Sequence, residues 1–571
     1  MKRDNLKYTI NYAVKSILLM ALFSTAFVFN SCKDELNVQD PNDPTFGVNV
    51  TDEAGIANYA KGTTYWNGFN YGNGWLGDSY FSLPWGYHEL MGDVVGGGQG
   101  SNNQTTTMGV PQKFQADPAD ASTTFTNPSP QVTIIRSFNN PASTTNGNNA
   151  LFYEWTSMYS LINSCNLTNE QLPNVKGLSA DKANAVKAWT AWWKGYAYSQ
   201  LGSLYYAGLI IDKSNTIVNT FVDHNALITE SNKNLTQALT TLGAVSNQGD
   251  FNNMMAQLIP AQCQVGLGKA LTVDQFKRTI NTMLARNIVF NKLAPFVNGN
   301  PNATISKSSM GVMTASDWSA VAALCNAGIQ KGDNVFTGRT TSANSFFSVN
   351  GGSVASLASV SNQNSTYKVS ERLLQQFKDT DKRRANFTTD KGIFYGDANT
   401  NSTRFTLLDG VTAGLSGIPI LGSRTPGGLE IYIGPTYEEN ATMLAEAKIR
   451  TGSINDGLVI IDAVRAAQGA GVPALAGTNL TLTQALTELT MERLASLAFR
   501  GLSYFDIRRW GWTYSIANGG GRYNSTLIFN RNIYTKAVID YNYMDYWDVP
   551  ADETEKNPPA GGSAPTRNPN F

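Results

Sequence analysis

The sequence has few charged residues and little material for metal or disulfide chemistry. Charged side chains make up 15% of its 571 residues, and 43 basic side chains are balanced by 43 acidic ones. A nucleic-acid-binding protein normally shows a basic excess or a basic stripe, and this chain has neither. Its four cysteines are too few for a disulfide framework in a chain of this length. The composition therefore disfavours both classes of protein.

The sequence also lacks the common catalytic motifs. Its two histidines, His88 and His224, belong to no Cys/His cluster, and no HExxH, GxSxG or P-loop sequence is present. An irregular structural Ca²⁺ site leaves little trace in a sequence, and none is indicated here. We therefore expect a protein that is not an enzyme and that carries no cofactor.

Long apolar runs are missing except near the N-terminus, where residues 16–29 follow several basic side chains. This run of 14 residues is too short to span a bilayer and is typical of a secretory signal. It ends at Phe29-Asn30-Ser31-Cys32, which resembles a lipobox. We expect a signal peptide over residues 1–31, a lipidated Cys32 and a tether over residues 32–50. The alternative is an ordinary cleaved signal with an incidental cysteine.

What the chain does contain is neutral polar residues, 51 glycines and many aromatic residues, including 11 Trp and 24 Tyr. Apolar residues recur at helical spacing from Phe152 onwards. The predicted helices lie near 51–66, 183–206, 226–242, 272–291, 317–329, 369–378, 436–450, 455–468 and 481–499. A further helix is predicted to begin at Phe152, because Trp155, Met158 and Ile162 fall at helical spacing. The remaining segments, including residues 95–148, are predicted to be loops, and the tail from residue 545 is predicted to lie extended on the surface.

Consecutive helices of this kind are the material of an α-solenoid. The expected fold is mainly α, an α-solenoid of tetratricopeptide-like helix pairs with large irregular regions packed on it. Cys165, Cys263 and Cys325 lie in apolar stretches and are expected to be buried free thiols.

Several segments resemble, in order, the motifs of the SusD/RagB family of nutrient-binding lipoproteins from the outer membrane of Bacteroidetes. They are Trp155–Asn166, Lys187–Leu204, Tyr437–Ala447, Ile461–Arg465, Glu492–Gly511 and the Pro/Asn-rich tail from Val549 to Pro569. The chain departs from the family pattern at Gly195, Asp462 and Arg500. Lys33-Asp34-Glu35 also resembles the acidic signal that sends such lipoproteins to the cell surface.

The resemblance implies a single SusD-like domain over residues 51–571. Its helical scaffold would occupy about 51–66, 150–291 and 436–500, and irregular ligand-binding segments would occupy 66–148 and 295–435. It further implies a lipid-anchored protein on the surface of the outer membrane. This protein would capture a glycan and deliver it to a SusC-like TonB-dependent transporter, over which it sits as a lid.

The stretch 66–93 contains the best candidates for a sugar-binding site, because sugars stack on flat aromatic rings and bond to polar groups around them. The candidate ligand-binding residues are Trp66, Tyr71, Trp75, Trp85 and Asp93. The alternative is that these aromatic residues pack the loop onto the helices.

The charged motif Glu492, Arg493, Asp506, Arg509 and Trp510 could supply an acid and a base. We interpret it as structural, because arginines pair with carboxylates and can join helices.

Three other functions remain open from the sequence: a peptide-binding lid of the same family, a surface hydrolase, and a structural lid without affinity of its own. A peptide site would favour polar groups directed at the backbone over stacked rings. A hydrolase would require clustered acids or a nucleophile with a base.

Overall fold

The computed structural model describes residues 50–66, 84–97, 107–141, 149–339, 367–389, 403–407, 430–562, 565 and 567–571. Cys32, Tyr71 and Trp75 lie outside these residues, as do the predicted signal peptide and most of the tether.

The described residues form fifteen α-helices. In chain order, α1 to α15 are Glu53–Lys61, Pro84–Met91, Gln131–Phe138, Phe152–Gln171, Ala180–Leu204, His224–Gly243, Gln248–Leu258, Val273–Phe290, Ala315–Asn326, Glu371–Leu374, Tyr437–Arg450, Ile454–Ala467, Leu482–Ser496, Ser503–Arg509 and Ala551–Lys556. Each helix of fourteen or more residues falls within 150–291 or 436–500. The expectation of a mainly α fold is confirmed.

Local sequence explains where several helices begin. Thr272 and Thr481 each accept a hydrogen bond from the third helical residue, whose side chain bonds back to the capping backbone. These capping boxes fix the starts of α8 and α13. Ser179 caps α5 in the simpler way, by accepting from Lys182 N–H.

The scaffold is built from neighbouring helices that pack side by side. Helix α5 lies against α4 on one side and α6 on the other, and α11 packs against α12 and α13. The central part of α5 is wholly buried, and its residues Trp189, Trp192 and Trp193 surround Phe336 with ring centroids 5.2–5.6 Å apart. A second apolar cluster joins α11, α12 and α13 through residues such as Ile449, Leu458 and Leu486.

The strands are short and mostly antiparallel. In chain order, β1 to β14 are Val95–Gly97, Lys113–Gln115, Thr124–Thr126, Ala207–Gly208, Val222–Asp223, Lys292–Leu293, Gly311–Val312, Thr337–Arg339, Tyr367–Val369, Phe387–Thr389, Phe405–Leu407, Glu430–Tyr432, Arg522–Phe529 and Asn532–Asp540. One sheet has four strands in the order β13-β14-β2-β3. It joins the hairpin β13–β14 to residues 113–126, so sequence-distant segments meet there.

Two predictions about irregular segments are wrong. The region 95–148 contains α3 and the paired strands β2 and β3 in addition to loops. The tail from residue 545 begins in the core and not on the surface. Residues 545–550 are buried, with Tyr546 and Trp547 at most 1% exposed, and only the residues after them are mostly partly or fully exposed. Trp547 N–H donates to the carbonyl of Leu204 at the end of α5, so the tail is held in the core by backbone bonds.

The three internal cysteines agree with their expectation. Cys165, Cys263 and Cys325 are free and buried. Burial raises the pKa of the Cys165 thiol to about 12, and such a thiol is unreactive at neutral pH.

Candidate functional site

The predicted sugar-binding stretch is only partly described. Tyr71 and Trp75 lie outside the described residues, and Trp66 ends a π-helical turn, Gly62–Trp66, with a side chain that is also outside them. Trp85 and Asp93 are described, and both are buried, at 3% and 4% exposure.

Trp85 packs against a glycine turn of the charged motif. Gly501 has φ +70°, and a Cβ built on it would lie 2.8 Å from Cγ of Trp85. The indole therefore rests on the backbone of the turn, which only glycine permits at this distance. Of the two interpretations that the sequence leaves open for Trp85, this position favours packing.

The same turn is held by two buried side chains of α2, those of His88 and Glu89. His88 Nδ1 donates to the carbonyl of Gly501 at 3.1 Å, and its Nε2 lies 3.1 Å from the Glu154 carboxylate. Glu89 accepts backbone N–H bonds from Phe499 and Leu502, each at 3.1 Å. Burial raises the pKa of Glu89 to about 7, although these N–H groups favour its charged form. This pair binds the protein's own backbone.

Asp93 joins three segments of the chain. Its Oδ2 lies 2.6 Å from Arg372 Nε and 2.8 Å from Arg522 Nη1, and it accepts a hydrogen bond from the Tyr541 hydroxyl. Burial alone would raise the pKa of Asp93, but the two guanidinium groups outweigh it and hold that pKa below its ordinary value. Asp93 is thus a positioning residue for Arg522.

Arg522 lies in the wall of a cleft of about 290 Å³, where two aromatic side chains are partly exposed. The guanidinium carbon of Arg522 lies 5.0 Å from the centroid of the Trp512 ring. Trp512 Nε1 donates to the carbonyl of Phe296 at 2.6 Å, which fixes the plane of the indole. Tyr523, the next residue on β13, also lines the cleft.

The rest of the cleft consists of amides, hydroxyls, two glycines and the apolar side chains of Phe296 and Met491. They are Phe296, Asn298, Gly299, Gln375, Gln376, Thr487, Thr490, Met491, Gly521 and Asn524. Gln375 is held in place, because its amide donates to the Asn524 carbonyl at 2.5 Å and accepts from Thr526 N–H at 2.8 Å. We call this site, with Trp512, Arg522 and Tyr523, the Trp512 cleft.

No carboxylate is among the described residues that line the Trp512 cleft. The guanidinium of Arg522 is already paired with Asp93, which it shares with Arg372. General acid–base chemistry needs a titratable group within hydrogen-bonding reach of the substrate. The chemistry of these walls instead suits an uncharged, hydroxylated ligand with an apolar face.

The charged motif forms a buried network. Arg493 and Arg509 both bond to Asp506 Oδ1, at 2.7 and 2.9 Å, and Arg509 also reaches Glu446 on α11 at 2.6 Å. Glu492 pairs with Arg383 and Arg465 at 2.7 and 2.9 Å. These side chains join α11, α12, α13 and α14.

None of the five motif residues is exposed to solvent. Glu492, Arg493, Asp506, Arg509 and Trp510 are at most 1% exposed. A substrate has no access to side chains buried in this way, so the contacts are those of a structural network.

Sequence reasoning missed the Trp512 cleft. Its residues come from five separate stretches of the chain, and their proximity leaves no pattern in the sequence. One signal was available: a second tryptophan, Trp512, stands two residues after Trp510 of the charged motif, and it is partly exposed in the structure.

Within the described ranges, no group of three or more His, Cys, Asp or Glu residues is placed to hold a metal ion. In the same ranges, no helix has the length and apolar character needed to cross a membrane.

No protein-family profile and no curated protein matches the sequence. Solved structures do match. A SusD superfamily protein from Bacteroides fragilis NCTC 9343 is 13% identical with a TM-score of 0.50, over 89% of this chain and 98% of that one. B. fragilis NanU is 13% identical with the same TM-score, over 84% and 94%. A SusD-like carbohydrate binding protein from Bacteroides vulgatus ATCC 8482 is 14% identical with a TM-score of 0.47, over 90% and 99%.

At these identities the likeness is one of fold. Nearly the whole length of the two Bacteroides fragilis proteins is covered at a TM-score of 0.50. The expectation of a SusD-like helical fold is therefore confirmed.

Proposed function

We propose that this chain, which has the SusD-like fold, is a glycan-binding lipoprotein of the cell surface. It captures an oligosaccharide or polysaccharide in the Trp512 cleft and delivers it to a TonB-dependent transporter in the outer membrane. Its role is binding and not catalysis.

The observation that carries the proposal is the chemistry of the Trp512 cleft. Two partly exposed rings, amides and hydroxyls line it, and its described residues include no carboxylate. The C–H faces of a sugar stack on aromatic rings, and its hydroxyls exchange hydrogen bonds with amides. A cleft of about 290 Å³ is near the lower end of the usual volume for small-ligand sites. It therefore suits one or two sugar units of a longer chain.

The proposed location at the cell surface and the proposed transporter partner are inferred from the sequence and not from the cleft. The lipid anchor is inferred from the Phe29–Cys32 sequence, and the transporter from the resemblance of the motifs. Two or more acyl chains on Cys32 would be enough for stable membrane attachment.

The proposal is tested by calorimetric titration of the purified protein with neutral plant, fungal and host polysaccharides. A second panel contains proteolysed protein mixtures. We expect binding to one class of polysaccharide. Binding to peptides alone would identify a peptide-binding lid, and silence in both panels would indicate a lid without affinity of its own.

The site is tested with Tyr523→Ala. Loss of one stacked ring costs about 1–3 kcal/mol, so we expect glycan affinity to fall by about 5- to 150-fold. Tyr534→Ala is the matched control, because Tyr534 is partly buried on the neighbouring strand β14 and does not line the cleft. Equal affinities for the two variants would place the glycan elsewhere.

A further inference from the structure

A larger cavity of about 590 Å³ lies in the helical scaffold, apart from the Trp512 cleft. Its walls come from the C-terminal end of α4, the first half of α5, the middle of α6 and residue Asp212. This volume is within the usual range for small-molecule sites. The proposed function makes no use of it.

The notable wall residue is Lys194, which is 9% exposed. Among the residues that the structure describes, none forms a hydrogen bond or an ion pair with its ammonium group. Buried lysines are normally paired, because an unpaired charge away from water is costly. Burial here lowers the pKa of Lys194 below its ordinary value. The cavity thus contains a buried cation that could bind an anionic group of a ligand.

The nearby carboxylates Asp212 and Glu230 favour the charged form of Lys194 at a distance, but neither they nor Glu170 bonds to its ammonium group. Both oxygens of Glu170 accept hydrogen bonds from Ser214, at 2.8 and 2.5 Å. Glu230 is paired with Lys233 at 3.0 Å and accepts from Asn234 at 2.8 Å. Asp212 is exposed at the mouth of the cavity, where solvent and salt screen its charge.

The other walls supply neutral polar groups and a second lysine, Lys187, which is exposed. Asn166 and Asn234 are buried amides, and Asn169 and Gln237 lie nearer the solvent. The next residue after Lys194 is Gly195, where a Cβ would lie 2.7 Å from the Leu235 side chain. The glycine thus lets α6 approach α5 closely behind the lysine.

We propose that this cavity binds the carboxylate of an acidic sugar. The Lys194 ammonium donates to the carboxylate, and the surrounding amides bond to the hydroxyls of the ring. Such a charge-assisted bond is shorter and about twice as strong as a neutral one, which gives the site a preference for the acid over the corresponding neutral sugar.

The experiment compares galacturonate with galactose, which differ only in the group at C6. The purified protein is titrated calorimetrically with each, and with acetate. We expect galacturonate to bind at least about tenfold more tightly than galactose or acetate. Equal binding of the two sugars, or of galacturonate and acetate, would overturn the proposal, as would the absence of galacturonate binding.

Lys194→Met keeps the length of the stem and removes the charge. We expect it to abolish the preference for galacturonate without lowering Tm, since an apolar side chain replaces an unpaired buried cation. Lys176→Met is the control, because Lys176 is exposed and lies outside the cavity. Unchanged galacturonate binding by Lys194→Met would overturn the assignment.

The two sites are separated by Tyr523→Ala. This variant removes a ring of the Trp512 cleft only, so its galacturonate affinity should equal that of the unaltered protein. If Tyr523→Ala weakens galacturonate binding and Lys194→Met does not, the acidic sugar occupies the Trp512 cleft and the scaffold cavity has no part in it.

Discussion

Asp93 balances two buried guanidinium groups with a single carboxylate. Arg372 and Arg522 are 4% and 5% exposed, so water does little to solvate them. The backbone of Asp93 itself adopts the left-handed conformation, with φ +64°. This backbone position is tolerated because the ion pairs and the Tyr541 bond hold the residue from three directions.

Asp93→Asn keeps the shape of the side chain and removes its charge. Two buried cations would then face a neutral amide, and breaking a buried pair in this way costs about 3–5 kcal/mol. We expect urea unfolding to show a free energy of unfolding that is lower by that amount. We also expect weaker glycan binding, because Arg522 is no longer held in place by Asp93.

Asp379→Asn is the matched control for this change. Asp379 is 97% exposed in its side chain and pairs with Arg384 at 3.2 Å. Exposed pairs of this kind contribute little. A similar loss of stability in both variants would show that the effect of Asp93→Asn does not come from burial.

Glu89 gives the folded protein a defined pH dependence. Burial raises its pKa from 4.5 to about 7, so between these values the folded state binds more protons than the unfolded state. The stability from this group is therefore greatest below pH 4.5 and falls as the pH rises towards 7. The shift corresponds to about 3 kcal/mol at most.

Glu89→Gln isolates the pH dependence, since an amide does not titrate. Its oxygen can replace only one of the two carboxylate acceptors, so a pH-independent loss of stability is also expected. We expect the stability of the unaltered protein, relative to Glu89→Gln, to decrease between pH 5 and pH 7.5. Urea unfolding at several pH values measures it. If the stability of the unaltered protein relative to Glu89→Gln instead increased with pH, the backbone N–H groups would be keeping Glu89 charged.

At the scale of elements, Gly195 sets the distance between α5 and α6. A Cβ on it would lie 2.7 Å from Leu235 and 3.3 Å from the Ser231 carbonyl. Gly195→Ala should therefore destabilise the protein by about 1–3 kcal/mol through overpacking, despite the better helix propensity of alanine. Thermal unfolding checks this.

Gly243→Ala provides the comparison, because a Cβ on Gly243 at the end of α6 meets no atom within 4 Å. This change should leave Tm the same or raise it slightly. A loss of stability there equal to that of Gly195→Ala would rule out crowding between the two helices as the cause.

The elements that the sequence predicts well are those with regular apolar spacing. Helix α6 was expected over 226–242 and spans His224–Gly243, and α8 was expected over 272–291 and spans Val273–Phe290. The tail was mispredicted because its Pro, Asn and Gly content indicates loop. Its Tyr546 and Trp547 nevertheless fill the core beside α5.

At the scale of the whole molecule, the candidate site could not be read from the sequence. Trp85 and Asp93 attract attention in the sequence because an aromatic and an acidic residue stand near several glycines. In the folded protein, both side chains are buried. The Trp512 cleft forms only when five segments come together: residues 296–299 after β6, the residues after α10, α13, Trp512 after α14, and the start of β13 with the glycine before it. Spatial convergence of this kind depends on tertiary packing, which local patterns do not encode.

The reactivity of the cysteines towards a thiol reagent tests both the burial of the internal thiols and the proposed lipid anchor. Cys165, Cys263 and Cys325 are buried, and burial raises the pKa of the Cys165 and Cys325 thiols far above neutral pH. A thiol reagent should therefore modify none of the three in the folded protein and all of them in guanidinium chloride. If Cys32 carries lipid as a thioether, the unfolded count for the protein purified from membranes is three. A fourth reactive thiol, present before unfolding, would contradict lipidation of Cys32 and with it the membrane anchor.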